Sequence, residues 1–277
     1  MNKKERLVKK VERLWRQANL PEYLHRYGPK KFQSAFLAFC WFVTQEWTHS
    51  LRRTQDLLFE LGMPVPHWTT IQKVARRFTA RVWSLLHRLS ALEIEPYIAA
   101  VDSTYFSLSD PSWHYARRID RVHVSCPAKA SVLVDTRTGK SLACRFRARP
   151  AHDARDVPYL LRHTSILPKK LVGDSAYDAE QNVFEPCHDR NIIAVVQPRK
   201  GWKEGFYRHK MRKHFDLRTY HRRPLVENFF SRLKQRYGGS LHCRTARTQR
   251  AEVFSRLILL NLSSLFTDFF YSADERR

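Results

Sequence analysis

The stretch that decides the fold reads YHRRPLVENFFSRLK and runs from Tyr220 to Lys234. At about 100° per residue, four of its polar side chains fall within an arc of about 60° on one side of a helix; they are Tyr220, Arg223, Glu227 and Lys234. The adjoining side is apolar and would be buried, and comprises Leu225, Val226, Phe229, Phe230, Leu233 and Tyr237. Pro224 is tolerated only in a first helical turn, so the regular helix begins near it. Taken alone, the pattern is also typical of a solvated basic helix with an i,i+4 ion pair.

The spacing Y-x2-R-x3-E-x6-K within this stretch resembles the signature of the DDE transposases of prokaryotic insertion sequences. That resemblance implies a catalytic domain related to RNase H and to the retroviral integrases. It also implies that Glu227 is the third of three metal-binding carboxylates, and that two Asp precede it in the chain. Tyr220, Arg223 and Lys234 would then contact DNA beside it.

The charge of the chain favours a polyanionic partner. Its 277 residues include 50 Lys and Arg against 26 Asp and Glu, which gives a net charge of +24. Aromatic residues make up 13% of the chain, so it is not a disordered basic tail. We therefore expect double-stranded DNA as the partner, with a ribosomal-type RNA binder as the alternative.

The cysteines and the apolar segments indicate a cytoplasmic, nucleoid-associated protein. Five Cys without a C-x-x-C pair suggest neither a disulfide framework nor a zinc site. The first ten residues are highly charged, which is not typical of a secretory signal. The most apolar stretch, Val253 to Tyr271, is interrupted by Arg256, Asn261 and Asp268, so it predicts a buried helix and not a membrane span.

Residues 1–92 are predicted to form a helical region that binds the DNA ends. Apolar spacing predicts helices over 3–19, 32–47, 50–61 and about 69–89. The third would stop at Gly62. A helix, a Gly-containing turn and a basic helix are compatible with a helix-turn-helix over about 50–90, with Arg76 and Arg77 against DNA. An ordinary helical packing domain fits this pattern equally well.

From residue 93 the pattern changes to that of an α/β fold. Strands are predicted over 97–101, 128–135, 141–147, 170–173 and 192–196, and helices over 153–163 and 179–190. The second and third strands flank Thr136–Gly139, which is typical of a hairpin turn. This order predicts an RNase H-like mixed sheet flanked by helices, and we assign residues 93–270 to one catalytic domain.

The two Asp that the resemblance requires follow two of the predicted strands. Asp102 ends the first strand, and Asp174 follows the fourth. Those strands are neighbours in an RNase H-like fold, so both Asp would converge with Glu227 at one end of the sheet as catalytic, metal-binding residues. Oxygen ligands of this kind favour Mg²⁺, with Mn²⁺ as a substitute, and two ions are expected. The alternatives are that Asp102 is a strand-end turn former, and that Asp178 replaces Asp174.

A basic segment between the last strand and Glu227 is expected to line the DNA groove. It combines positive charge with surfaces on which bases can stack, and its candidate residues are Lys200, Trp202, Lys203 and Arg208. A solvated surface loop is the alternative.

Together these observations predict a transposase that binds the terminal inverted repeats of its insertion sequence. It would catalyse metal-dependent DNA strand cleavage and strand transfer, as a homodimer in the active complex. Two alternatives stay open: an RNase H-like nuclease without strand transfer, and an inactive, transposase-derived DNA-binding protein.

Overall fold

The computed structural model describes residues 3–27, 29–108, 127–201 and 204–263. Its centre is a mixed sheet of strands in the order β3-β2-β1-β4-β5, with β6 paired to the far end of β1. The strands are β1 Ile98–Leu108, β2 Ala128–Asp135, β3 Ser141–Arg147, β4 Lys170–Gly173, β5 Ile193–Val196 and β6 Ser240–Leu241. The predicted mixed sheet flanked by helices is confirmed.

The β2–β3 hairpin forms where the turn sequence predicts it. The two strands are antiparallel, and β2 is also antiparallel to β1. The Asp135 carboxylate accepts a hydrogen bond from the Thr138 N–H at 2.8 Å. Gly139 has a φ of +64°, which an L side chain rarely adopts. By contrast, β4 lies parallel to both β1 and β5, so helices make the crossover connections.

The expectation that β1 ends at Asp102 is wrong, because the strand continues to Leu108. Pairing with β4 stops at Ala100, opposite Val172. Pairing with β2 continues as far as Phe106, and β6 then takes over beside the last two residues. Asp102 is therefore held inside a long strand, so the strand-end turn alternative is also wrong.

The N-terminal region is helical, as predicted, and its elements are α1 Lys3–Gln17, α2 Ser34–Val43, α3 Leu51–Glu60, α4 Trp68–Arg77 and α5 Ala80–Leu89. Gly62, with a φ of +60°, follows the end of α3. The single helix predicted over 69–89 is wrong, since Phe78 is extended and Thr79 starts α5 by accepting a hydrogen bond from the Val82 N–H at 3.4 Å. The apolar spacing hides this break because both helices pack on the same core.

The remaining helices flank the sheet, and are α6 Val157–His163, α7 Glu185–His188, α8 Phe206–Lys213, α9 Leu217–Tyr220, α10 Pro224–Tyr237 and α11 Ala246–Ser263. Single turns precede two of them: a 3-10 turn over Asp153–Asp156 before α6 and a π turn over Glu180–Phe184 before α7. The helix α10 begins at Pro224, as its sequence predicts.

Two apolar clusters cover the two faces of the sheet. Ala100 points into the cluster that contains α10, α11 and the N-terminal helices, whereas Ala99 and Val101 point into the other. The helical region thus shares one core with the sheet. The described part of the predicted C-terminal apolar helix is buried within α11, and its buried Arg256 pairs with Glu252. None of the helices in the described ranges is long and apolar enough to span a membrane.

Candidate active site

Asp102 and Asp174 project from adjacent strands at the same level of the sheet. The parallel register pairs Ala100 of β1 with Val172 of β4, and each Asp lies two residues beyond its member of that pair. Alternate residues of a strand share a face, and neighbouring strands are about 4.8 Å apart. Asp174 directly follows β4, and its carboxylate accepts from the Ala176 N–H at 2.8 Å. The structure therefore places these two carboxylates side by side.

The electrostatics of Asp102 reflect this proximity. Burial raises the pKa of its carboxyl to about 6, while a hydrogen bond from the Ser103 N–H, at 2.7 Å, acts in the opposite direction. The charges of Asp174 and Asp153 contribute to this raised pKa, and that of Arg223 opposes it. Asp102 thus lies in a region of excess negative charge that a cation would relieve.

Glu227 lies in the first turn of α10, at the same end of the sheet. Burial raises the pKa of the Tyr220 hydroxyl, Arg223 acts in the opposite direction, and Asp174 and Glu227 raise it, so both carboxylates lie near this tyrosine. The Glu227 side chain is 53% exposed and forms an i,i+4 ion pair with Arg223. That arginine also lowers the pKa of the Asp102 carboxyl, so it lies near both Glu227 and Asp102.

The chemistry of this carboxylate pair fits a divalent cation. Asp102 and Asp174 each use one oxygen to accept a local backbone N–H, and no other donor from the described ranges bonds to either carboxylate. Their remaining oxygens are hard ligands of the kind that Mg²⁺ prefers. No set of three His, Cys, Asp or Glu side chains among the described residues is close enough to hold an ion together. The Asp pair is thus a partial site, and Glu227 is not close enough to complete it in this arrangement.

Asp178, the alternative to Asp174, occupies a different environment. It is buried, its carboxylate binds the Arg208 guanidinium at 2.6 Å, and it also accepts from the Arg199 N–H at 2.8 Å. Arg212 lies 3.7 Å from its second oxygen. Asp178 therefore already has its cations, and the geometry favours Asp174 as the residue that faces Asp102.

The expectation that Arg208 lines a DNA groove needs correction. Arg208 is only 4% exposed, and its guanidinium donates to the Asp178 carboxylate and to the Asp178 carbonyl at 3.1 Å. The sequence does not show this, because the partner lies 30 positions away in the chain. Arg208 holds the segment after β4 in place, and we leave it out of the proposed DNA surface.

A second buried polar network surrounds Asp156, beside the strand that pairs with β1, and the sequence did not predict it. Asp156, fully buried, accepts from Ser131 at 2.7 Å and pairs with the cations of Lys129, Arg145 and Arg147. The Ser103 hydroxyl donates to Asp153 at 2.6 Å. The alternation of polar residues along β2 and β3 was the available signal, because Lys129, Ser131, Arg145 and Arg147 share one face of the hairpin.

The other predicted DNA contacts lie in several places. Lys200 is exposed in the loop after β5, while Trp202 and Lys203 lie outside the described residues. Lys234 is half-buried two turns after Glu227 on α10. Arg76 and Arg77 are exposed at the end of α4; Arg247 of α11 donates to the Arg76 carbonyl at 3.1 Å. The structure thus leaves Lys200, Arg76 and Arg77 at the surface.

The sheet order is that of an RNase H-like fold. The family model described as the transposase DDE domain matches residues 93–262. The chain belongs to this family, which confirms the resemblance that the stretch from Tyr220 to Lys234 carries.

Three solved structures of other proteins are similar to this chain to different degrees. The piggyBac transposase synaptic complex with hairpin DNA, solved by cryo-EM, matches with a TM-score of 0.53 at 8% identity, over 97% of this chain and 73% of that one. The catalytic core domain of BIV integrase matches with a TM-score of 0.32 at 15% identity, over 57% of this chain and 80% of that one. A simian T-cell lymphotropic virus intasome in complex with PP2A regulatory subunit B56 gamma has a TM-score of 0.31 at 13% identity, over 74% of this chain and 64% of that one. The first of these likenesses concerns the fold alone.

Proposed function

We propose that the protein is a metal-dependent transposase that binds the terminal inverted repeats of its insertion sequence and catalyses strand cleavage and strand transfer. The observation that carries this proposal is the juxtaposition of Asp102 on β1 with Asp174, which directly follows β4; Glu227 lies at the start of α10, near the same Tyr220 hydroxyl as Asp174. Membership of the transposase DDE domain family supports it. The substrate is double-stranded DNA, and the active complex is a homodimer that acts in the cytoplasm at the nucleoid.

Asp102, Asp174 and Glu227 are the residues proposed to hold the metal. Mg²⁺ is the expected ion, Mn²⁺ its substitute, and two ions would be held. When bound, such ions activate an attacking oxygen and neutralise a leaving one. The protein's own contribution is to position the carboxylates: the sheet register fixes the Asp pair, and the first turn of α10 fixes Glu227.

Arg223 has a double role in this proposal. In the structure it neutralises Glu227 and lies close enough to Asp102 to lower the pKa of that carboxyl. When Glu227 moves to join the Asp pair, the Arg223 guanidinium is released and can form an ion pair with a DNA phosphate. Tyr220, whose hydroxyl donates to Gln197 at 2.8 Å, stands beside the same site and would contact the DNA there.

The remaining DNA contacts form two proposed surfaces. One is proposed beside the site and includes Lys200 and Lys234; Trp202 and Lys203, outside the described residues, keep the DNA-binding role that the sequence predicts. The other is the end of α4 with Arg76 and Arg77, which would bind the repeat away from the reacting phosphate. Net charge of +24 supports both, because each phosphate contact contributes to affinity through counterion release.

Joining of a pre-cut DNA end tests the function. The substrate is a duplex with the inverted repeat that flanks this gene, given either uncut or with its 3′-hydroxyl already free. With Mg²⁺, the protein should cut the first and join the second to a target plasmid. Cutting without joining would replace the proposal with a nuclease, and repeat binding with neither reaction would leave a DNA-binding protein.

The roles of Glu227 and Lys234 can be separated by titrating Mg²⁺ in this assay. Glu227→Asp should raise the Mg²⁺ concentration needed for cleavage, since its shortened arm no longer reaches the ion. Lys234 is about 10 Å further along the helix axis, so Lys234→Ala should weaken the binding of cut ends and leave the metal requirement unchanged. A shifted metal midpoint for Lys234→Ala, with none for Glu227→Asp, would reverse these assignments.

A further inference from the structure

Arg199 belongs by sequence to the basic segment expected to meet DNA, but its side chain is turned inward. Its Nε donates to the Ser175 carbonyl at 2.7 Å, and its Nη2 lies 3.3 Å from the Ala176 carbonyl. The side chain is half-buried, unlike that of its exposed neighbour Lys200. The guanidinium is therefore occupied by the protein backbone.

The two carbonyls that Arg199 binds belong to the short turn that Asp174 starts. The 3-10 turn spans Ser175–Tyr177, and the Asp174 carboxylate caps it by accepting from the Ala176 N–H at 2.8 Å. Asp174 thus accepts a hydrogen bond from an N–H of this turn, and Arg199 donates to the carbonyls of Ser175 and Ala176. Movement of the turn would change the direction in which the Asp174 carboxylate points.

Arg199 is itself fixed by the buried network around Asp178. Its N–H donates to the Asp178 carboxylate at 2.8 Å, and its carbonyl accepts from Arg212 at 3.0 Å. Just before it, the Gln197 N–H lies 3.4 Å from the carbonyl of Gly173, the last residue of β4. The backbone of Arg199 is therefore anchored at the same strand end from which Asp174 emerges.

We propose that Arg199 is a positioning residue for Asp174, which it holds toward Asp102 by clamping the turn over Ser175–Tyr177. The inference rests on the proposed function in one respect, namely that Asp174 is a metal ligand. Arginine suits the task because a planar guanidinium donates in two fixed directions at once, whereas a lysine ammonium is a single point charge.

The test compares Arg199→Lys with Arg190→Lys. Arg190 is a matched control, since it is also half-buried and donates to a backbone carbonyl, that of Pro186, at 2.9 Å. Two properties are measured on the full-length protein: hydrogen exchange of the amides of residues 176–178, without metal, and Mn²⁺ affinity by electron paramagnetic resonance. Arg199→Lys should speed that exchange about tenfold, with exchange in the β2–β3 hairpin unchanged. It should weaken Mn²⁺ binding by about 10–100-fold, as expected for loss of an outer partner of a metal ligand.

The outcomes separate this inference from the proposed function. Wild-type exchange and wild-type Mn²⁺ affinity in Arg199→Lys, or equal effects in Arg190→Lys, would overturn the role of Arg199. If the wild-type protein bound no Mn²⁺, the metal assignment would fail, while the exchange rates would still decide whether Arg199 holds the turn. If Arg199→Lys unfolds, exchange rises in the hairpin as well. Arg199→Gln, which removes the guanidinium and keeps an amide donor, then provides the comparison and should show the same local increase.

Discussion

Two groups of aspartates near the same strands differ in their counter-ions. Asp156 is fully buried and has Lys129, Arg145 and Arg147 around it. Asp102 is partly buried on the neighbouring strand, and among the described residues its carboxylate has one hydrogen bond, from the Ser103 N–H. The charge of Asp174 contributes to the raised pKa of this carboxyl. The first group is a closed structural network, and the second has a place for a cation from outside.

The difference follows from the cost of burying charge. A buried carboxylate is tolerated when cations and hydrogen-bond donors surround it, and removal of one partner then leaves the others uncompensated. A carboxylate pair without such partners is held together against its own repulsion by the fold, which is typical of a ligand-binding or catalytic site. Substitutions should therefore have opposite consequences in the two groups.

The largest effect is expected on catalytic activity when either Asp102 or Asp174 is replaced. Asp102→Asn and Asp174→Asn should each lower cleavage and strand transfer by more than about 100-fold, because even outer partners of metal ligands contribute about 10–100-fold. DNA affinity, measured by fluorescence anisotropy, should stay within a few fold. Substantial Mg²⁺-dependent cleavage by Asp102→Asn would remove that residue from the site.

A loss of stability is expected for the structural network. Asp156→Asn should lower the free energy of unfolding by about 3–5 kcal/mol, since three cations lose their shared carboxylate. Urea denaturation followed by circular dichroism measures this change. A variant as stable as the wild-type protein would show that the surrounding donors do not depend on Asp156.

A smaller effect of opposite sign is expected for the stability of Asp102→Asn. The pKa of this carboxyl is raised by burial from 3.8 to about 6 in the folded protein, so the folded state binds a proton more readily than the unfolded state between these values. The charged carboxylate therefore destabilises the fold increasingly as the pH rises from about 4 to about 6. Without metal, Asp102→Asn should be more stable than the wild-type protein above pH 6, and this advantage should disappear below pH 4. Equal urea midpoints at pH 7 would contradict the unfavourable burial of Asp102.

The sequence predicted the turns, strands and helix starts that depend only on residues close together in the chain. The turn over Thr136–Gly139, the short strand before Asp174 and the start of α10 at Pro224 all form as expected. The RNase H-like fold that the resemblance and the order of elements implied also predicted that β1 and β4 are neighbours. The assignment of Asp102, Asp174 and Glu227 to metal stays a prediction that rests on the family resemblance and on this geometry.

Features that depend on distant partners could not be predicted. The strand β1 continues past Asp102 because β2 and β6 pair with it, and neither lies near it in the sequence. Arg208 and Arg199 have the composition of a DNA-binding segment, but both are drawn inward by the segment that follows β4. The structural role of such a basic residue depends on a partner that is distant in the sequence, so composition alone does not show it.

The central claim is that Asp102 and Asp174 hold a divalent ion, and iron-directed cleavage of the protein backbone tests it most directly. Fe²⁺ bound in place of Mg²⁺ generates hydroxyl radicals with ascorbate and peroxide, which cut the chain beside the ion. The wild-type protein should be cut next to residues 102 and 174, and excess Mg²⁺ should suppress the cuts. Asp102→Asn should lose these cuts. Asp156→Asn should keep them when it is measured without urea at a temperature at which it is folded. Cuts at other positions, or cuts that persist in Asp102→Asn, would contradict the claim.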